Sequence, residues 1–436
     1  MFLEMTQRRN HVALAAALTA AVLAGVAPSS GARAATLRTL HPFCARAACA
    51  DGSSPYAPLV RDSAGNFYGT TFTGGANNLG VVFELVNTGT GYQFQVLHNF
   101  CNQSGCPDGQ NPLAGLILDT NGHLYGLAKR GGSQDEGTLY ELIPGTTSWT
   151  FKVRADFCTF CSAGFQPVYK LTYQGELSGA PYDGTSPVYG VTLGGLGEGN
   201  RGVAFQAVPV SGQELWNVTN LYTFCSKPNC RDGDVPSAPL VVDAGGNLFG
   251  VTSGGGSNGD GVAFEIPAGG GSETVLHNFC RLANCADGST PTGLTMDDAG
   301  DLVGTTSAGG AHGGGAIFKI VSTDTGFRER VLYSFCVSSG CPDGQAPQAG
   351  LTPDGAGNLF GTTQSGGDHQ GGVIFKFRGS TYTKLVSLCT PTDCLHGAAP
   401  RAPLILDSSG NLFGTATEAG ANNGGTVFEL RRSSPP

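Results

Sequence analysis

Charge is scarce in this chain. Only 13% of the residues are Asp, Glu, Lys or Arg, and the formal net charge is a mild -9 over 436 residues. Lys and Arg form no long cluster beyond the N-terminus, which argues against nucleic acid as a partner. Past residue 27 no stretch approaches the roughly 20 apolar residues of a membrane-spanning helix. There is no G-x-S-x-G elbow, no H-E-x-x-H and no phosphate-binding glycine loop of the P-loop type. The common nucleophile, zinc-protease and nucleotide signatures are therefore missing, and no cofactor is expected.

What the chain has in quantity is glycine, 69 residues, beside 24 prolines and an ordinary 40% apolar content. That balance points to many short strands and tight turns. The first 34 residues read as a secretory leader. Arg8 and Arg9 precede the apolar run HVALAAALTAAVLAGVA (11–27), and Ala32-Arg33-Ala34 forms an A-x-A-like cleavage site. The arginine pair fits twin-arginine export only loosely. The expected mature protein is soluble, monomeric, secreted or periplasmic, and placed where disulfides persist. Residues 432–436 are expected to form a disordered tail.

The fourteen cysteines fall into seven pairs: Cys44/Cys49, Cys101/Cys106, Cys158/Cys161, Cys225/Cys230, Cys280/Cys285, Cys336/Cys341 and Cys389/Cys394. Successive first cysteines are 57, 57, 67, 55, 56 and 53 residues apart, a period that marks repeated supersecondary units. Each unit runs from the pair into Gly-x-x-Pro, then a short apolar run, an Asp-x-x-Gly-Asn turn, a strand such as NFYGTT, a Gly-Gly-x4-Gly loop, and a strand such as VVFEL. A final strand such as FQVLHNFC leads to the next pair. The second strand always carries an interior Gly (Gly69, Gly126, Gly190, Gly250, Gly304, Gly361, Gly414), which implies a crowded contact between units. The third always carries an aromatic, expected to fill the space between stacked sheets.

Four strands per unit, seven times, specify an all-β fold, a seven-bladed β-propeller of four-stranded antiparallel blades, over residues 35–431. A β-solenoid is the alternative, but the period is long for one coil. The last unit stops after GTVFEL, and LRTLHPF (37–43) precedes the first cysteine as an unattached strand. That N-terminal strand is expected to complete the last blade and latch the ring.

These residues resemble the GloVer-type tandem repeat of exported bacterial proteins, in the GNLYGTT-like strand, the GG-x4-G loop and the VFEL strand. More distantly, Asp-x-x-Gly-Asn-Leu-Tyr is similar to NHL-type propeller repeats. The resemblance covers residues 37–431 and implies an exported propeller, with no activity attached.

Each pair of cysteines belongs to a different unit, so four cannot readily meet around one zinc, and Cys158/Cys161 lacks a thioredoxin-like setting. Seven local disulfides are the expectation. The Asp-Gly step supplies Asp51, Asp108, Asp232, Asp287 and Asp343, with Ala163 and His396 in the other two units. These Asp form either an acidic ring near the channel mouth, able to meet a cation or polyhydroxy ligand, or a set of turn caps. The Asp-x-x-Gly aspartates belong to hairpins on the opposite face. His41, His98 and His277 stand three before a cysteine and read as sheet residues. His312, His369 and His396 lie in loops of the top face and are candidates for metal or proton chemistry. No dedicated metal site is expected.

Unit three breaks the symmetry with YQGELSGAPYDGTSP (173–187), flanked by Trp149 and Trp216. A long loop with exposed Tyr or Trp could stack on a sugar ring. The leading expectation is a binding protein for a glycan or protein, recognised through the top-face loops. A polysaccharide lyase or glycoside hydrolase using the Asp and His groups, and a structural envelope protein, are the alternatives.

Overall fold

A computed structural model describes residues 35–159, 162–195, 201–324 and 326–432. The expected leader, Cys161 and the tail beyond Arg432 lie outside the described residues.

Seven antiparallel sheets follow one another along the chain. In the first, Val60–Arg61, Phe67–Thr71, Val81–Asn87 and Tyr92–Asn99 run from the inner to the outer strand. The seventh takes three strands from the C-terminal end and its outermost from the N-terminal end. Thr36–Pro42 pairs with Thr426–Arg431, with Thr36 opposite Arg431 and Pro42 opposite Thr426. The chain ends thus share a blade, and the fold is the seven-bladed propeller with the expected latch. In blade 4 the inner strand is split into Asp234–Pro236 and Val241–Val242, both paired with Leu248–Gly254.

The interior Gly of each second strand has a more local cause than a clash between units. Gly69 stands opposite Phe83 of the same blade. A Cβ on Gly69 would lie 2.6 Å from the Phe83 ring and 3.0 Å from Leu59, just ahead of the blade's inner strand. The ring lies over the Gly and reaches into the apolar layer between blades 7 and 1, beside Phe43 and Val427. The other six glycines face Tyr140, Phe205, Phe264, Phe318, Phe375 and Phe428 in the same way. Glycine makes room within the blade for the aromatic that fills the gap between blades.

Candidate functional site: the top face and its joints

Six disulfides are formed among the described residues, each closing five residues of sequence separation. No cysteine there is free. The carbonyl of the second cysteine in each of these six pairs is a hub. Cys49 O accepts the joint N–H of Gly52 at 2.8 Å and the N–H of Gly75 from the Gly-Gly loop at 2.9 Å. Gly132, Gly256, Gly310, Gly367 and Gly420 bond Cys106, Cys230, Cys285, Cys341 and Cys394 likewise, at 2.8 to 3.0 Å. Joints and loops therefore share one face, as their order in the unit implies.

Each joint also grips the preceding blade. Ser54 N donates to Gly424 O at 2.8 Å, Asn111 N to Leu79 O at 2.8 Å, and Ala346 N to Gly314 O at 2.8 Å. These donors precede the joint proline and hold positive φ, 57° at Ser54, 54° at Asn111 and 52° at Ala346. Ordered backbone in that region needs over-determining contacts, and the hub, the proline and the cross-blade bond supply them.

The five joint aspartates are spent on this structure. Asp51 is fully buried; it accepts N–H bonds from Ala45 and Arg46 at 3.1 and 3.2 Å and meets His41 Nε2 at 3.0 Å. Asp108 meets His98 at 2.8 Å. Asp232 accepts from Tyr222 at 2.7 Å and from the Ser226 and Lys227 amides at 2.8 and 3.2 Å. Asp287 accepts the Arg281 and Leu282 amides at 2.9 and 3.0 Å and lies 3.3 Å from His277. Asp343 accepts from Tyr333 at 2.8 Å. Each carboxylate caps its own cystine loop and is tied to a ring on its own outer strand; the structure does not bring the five together.

A regularity within the repeats follows. The five units with a joint Asp carry His or Tyr three residues before the first cysteine. The two without it pair Ala155 with Ala163 and Val386 with His396. The ring and the Asp come and go together because a buried carboxylate needs its donors. The same ring touches the next blade: His41 stacks on Phe94 at 3.9 Å, His98 on Phe151 at 4.0 Å, and Tyr333 on Tyr382 at 4.4 Å. At the matching positions in units 4 and 5 stand Glu273 and Glu329. Burial raises the pKa of both, and Glu329 reaches about 7 with Asp287 adding to the shift. Burial lowers the pKa of His41 and His277, with the neighbouring Asp opposing it.

His312 and His369 are exposed on loop tips, while His396 is half-buried with Nδ1 3.0 Å from Thr39 Oγ1. Among the described residues, the one group of three potential metal ligands within an ion's reach is Asp260 with Cys280 and Cys285. Those two cysteines are bonded to each other. The tips around these histidines are polar and mostly exposed: Asn77 and Asn78, Gln134 and Asp135, Ser257 and Asn258, Asp368 and Gln370, Asn422 and Asn423.

The unit-three loop corrects the expectation of an exposed aromatic platform. Tyr182, Tyr173 and Trp216 are 1%, 9% and 9% exposed. Tyr182 packs on Tyr125 and bonds the second blade's turn, donating to Leu118 O at 3.3 Å and accepting from Thr120 at 3.0 Å. Gln174 Nε2 reaches Ala244 O of blade 4 at 2.9 Å. The loop is a strap joining three blades on the face opposite the cystines. Beneath it, Asp119, His123, Tyr125, Glu141 and Arg154 form a linked network in which His123 Nδ1 lies 2.7 Å from Glu141. His123 replaces the Asn of the template, the signal by which this network could have been found. The strap and the strand ends Val60–Arg61 and Ile117–Leu118 border a cavity of about 220 Å³.

Matches to the Gloeobacter/Verrucomicrobia repeat cover residues 29–187, 175–342 and 329–435. The chain belongs to that repeat family. The GloVer-type resemblance of the strands and loops is borne out by this match. No curated protein matches the chain in sequence. Among solved structures, the chain is similar to the extracellular domain of what is described as a one-component system from B. thetaiotaomicron, at 12% identity and a TM-score of 0.52. The match covers 90% of this chain and 39% of that one, so this repeat protein spans well under half of that protein's length. A chain from Bacteroides uniformis ATCC 8492, described as a 6-phosphogluconolactonase, matches at 12% identity and a TM-score of 0.46, over 92% of this chain and 100% of that one. At such identities the likeness concerns the fold. No helix among the described residues is long and apolar enough to cross a membrane.

Proposed function

We propose that this repeat protein is an exported, monomeric binding protein that recognises a glycan or a protein through its top face. One observation carries the reading: the Gly-Gly loops are held at their base by the cystine hubs, yet present polar, mostly exposed tips. A surface fixed before binding loses little entropy on association. Tips of amide, carboxylate and imidazole suit hydroxyl-rich ligands, because each offers directional hydrogen bonds. The leader-like N-terminus and the cystines support export. The joint aspartates enter this reading as scaffold, which leaves His312 and His369 as the tip groups best placed to touch a ligand.

The test is a thermal-shift and product-release screen of the purified protein against neutral, acidic and sulfated glycans. Stabilisation without product release supports the proposal, and its loss in a His312→Ala/His369→Ala variant places the ligand on the tips. Turnover would replace it with the hydrolase or lyase reading. Stabilisation by none of the glycans, together with no bound protein from the extracellular fraction, would overturn it.

A further inference from the structure

Two template positions change character together on one arc of the ring. The residue after the joint proline is Arg401 in unit 7 and Tyr56 in unit 1, and the third residue after the interior Gly is Phe72 in unit 1 and Lys129 in unit 2. In every other unit both positions are uncharged and non-aromatic. Ring closure makes units 7, 1 and 2 neighbours, so substitutions scattered over the chain meet.

The contacts are continuous. The Arg401 guanidinium carbon lies 5.4 Å over the Tyr56 ring, and Tyr56 meets Phe72 edge-on at 5.6 Å. Phe72 O accepts from Asn111 Nδ2 at 3.0 Å, and Asn111 O accepts from Lys129 N at 3.4 Å. Tyr56, Phe72, Lys129 and Arg401 are all half-buried. Both cations are under-used. Arg401 reaches only the outer part of Glu418, at 3.6 Å, and its buried Nε has no hydrogen-bond partner. Lys129 has no ion-pair partner among the described residues, while Arg130 beside it carries the same sign. Burial, and then Arg130, lower the Lys129 pKa.

An unpartnered buried guanidinium nitrogen is costly unless something supplies an acceptor. Arg forms paired hydrogen bonds with planar anions, Lys adds a point charge, and an aromatic face takes the apolar face of a sugar ring. From this geometry we infer that the top mouth of the channel binds an anionic sugar oligomer, one acidic group on Arg401, a ring against Tyr56 or Phe72, and a further acidic group toward Lys129. The inference rests on the top face being the ligand-binding surface and names the ligand class for it.

Calorimetry with a galacturonic acid trimer, its methyl ester and a sulfated galactose oligomer tests it. The acid or the sulfated sugar should bind at least tenfold more tightly than the ester, and more weakly at high salt. Arg401→Met and Lys129→Met should each lose about tenfold or more, the scale of one charge-assisted hydrogen bond, with Lys129→Arg restoring binding. Circular dichroism of the variants checks that the sheets persist. Equal binding of acid and ester, or wild-type affinity in both Met variants, overturns the anionic-sugar inference while leaving a glycan-binding top face intact. If none of the sugars binds but a protein does, the sugar inference falls and the broader reading survives.

Discussion

Pro112, at the start of the second blade, rests against Gly80 at the end of a loop in the first. A Cβ on Gly80 would lie 2.6 Å from Pro112 Cδ and 2.4 Å from Thr71 O, and its φ is +99°. The same pair recurs around the ring, from Gly137 and Pro167 to Gly425 and Pro55 across the closure. The Gly and Pro of neighbouring repeats are thus two halves of one contact.

Gly80→Ala should cost about 2 kcal/mol or more, from the left-handed backbone and the displaced proline. Gly89→Ala is the control, since its φ is +79° with nothing within 4 Å of an added Cβ. Urea denaturation should show the larger loss at Gly80.

Asp232→Ala leaves the Tyr222 hydroxyl and two loop amides without their acceptor and should destabilise by about 2–3 kcal/mol. The Tyr222→Ala/Asp232→Ala double variant recreates the pairing found at Ala155 and Ala163. It should cost less than the sum of the single changes, with a coupling of roughly 1 kcal/mol or more in a double-mutant cycle. Strict additivity would mean that the ring and the carboxylate are independent.

Reduction should loosen the top face before the sheets. Each cystine closes a loop worth roughly 2 kcal/mol by chain entropy, and each holds a carbonyl hub. With a thiol reductant, limited proteolysis should cut first within the cystine and Gly-Gly loops while the far-ultraviolet dichroism is retained.

The outer strand of blade 5 sets a pH dependence. The pKa of Glu329 rises from 4.5 to about 7 through burial and Asp287, and its Oε1 has no hydrogen-bond partner. A carboxyl raised in the folded state contributes its full stability below the unfolded value, and this is lost as pH rises through 7. Glu329→Gln should therefore leave Tm unchanged near pH 4 and raise it by a few degrees at pH 8. An equal shift at both pH values would rule out ionisation as the cause.

Much of this was legible in the sequence for a physical reason. A disulfide, a positive-φ Gly and a Pro each encode local geometry in residue type, so six copies of Cys-x4-Cys and one of Cys-x2-Cys, each followed by Gly-x-x-Pro, disclosed the joint and the ring. The coupling of Asp51 to His41 was written there too, in the shared absence of both partners from two units, but it needs the cystine loop folded to bring position 51 under position 41. Tyr182 read as an exposed platform because loop residues usually face solvent; the neighbouring blades, invisible in sequence, cover it. The mouth residues were the least legible. Arg401 and Tyr56 share one template position in units that lie at opposite ends of the sequence, and they meet only when the ring closes.

Hydrogen–deuterium exchange with and without the galacturonic acid trimer tests the central claim, a pre-formed top-face binding surface, most directly. The account predicts added protection around residues 54–56, 72–80, 109–112, 129–132 and 398–401, with the strap at 173–187 unchanged. Protection confined to the strap and the turns of the opposite face would contradict it.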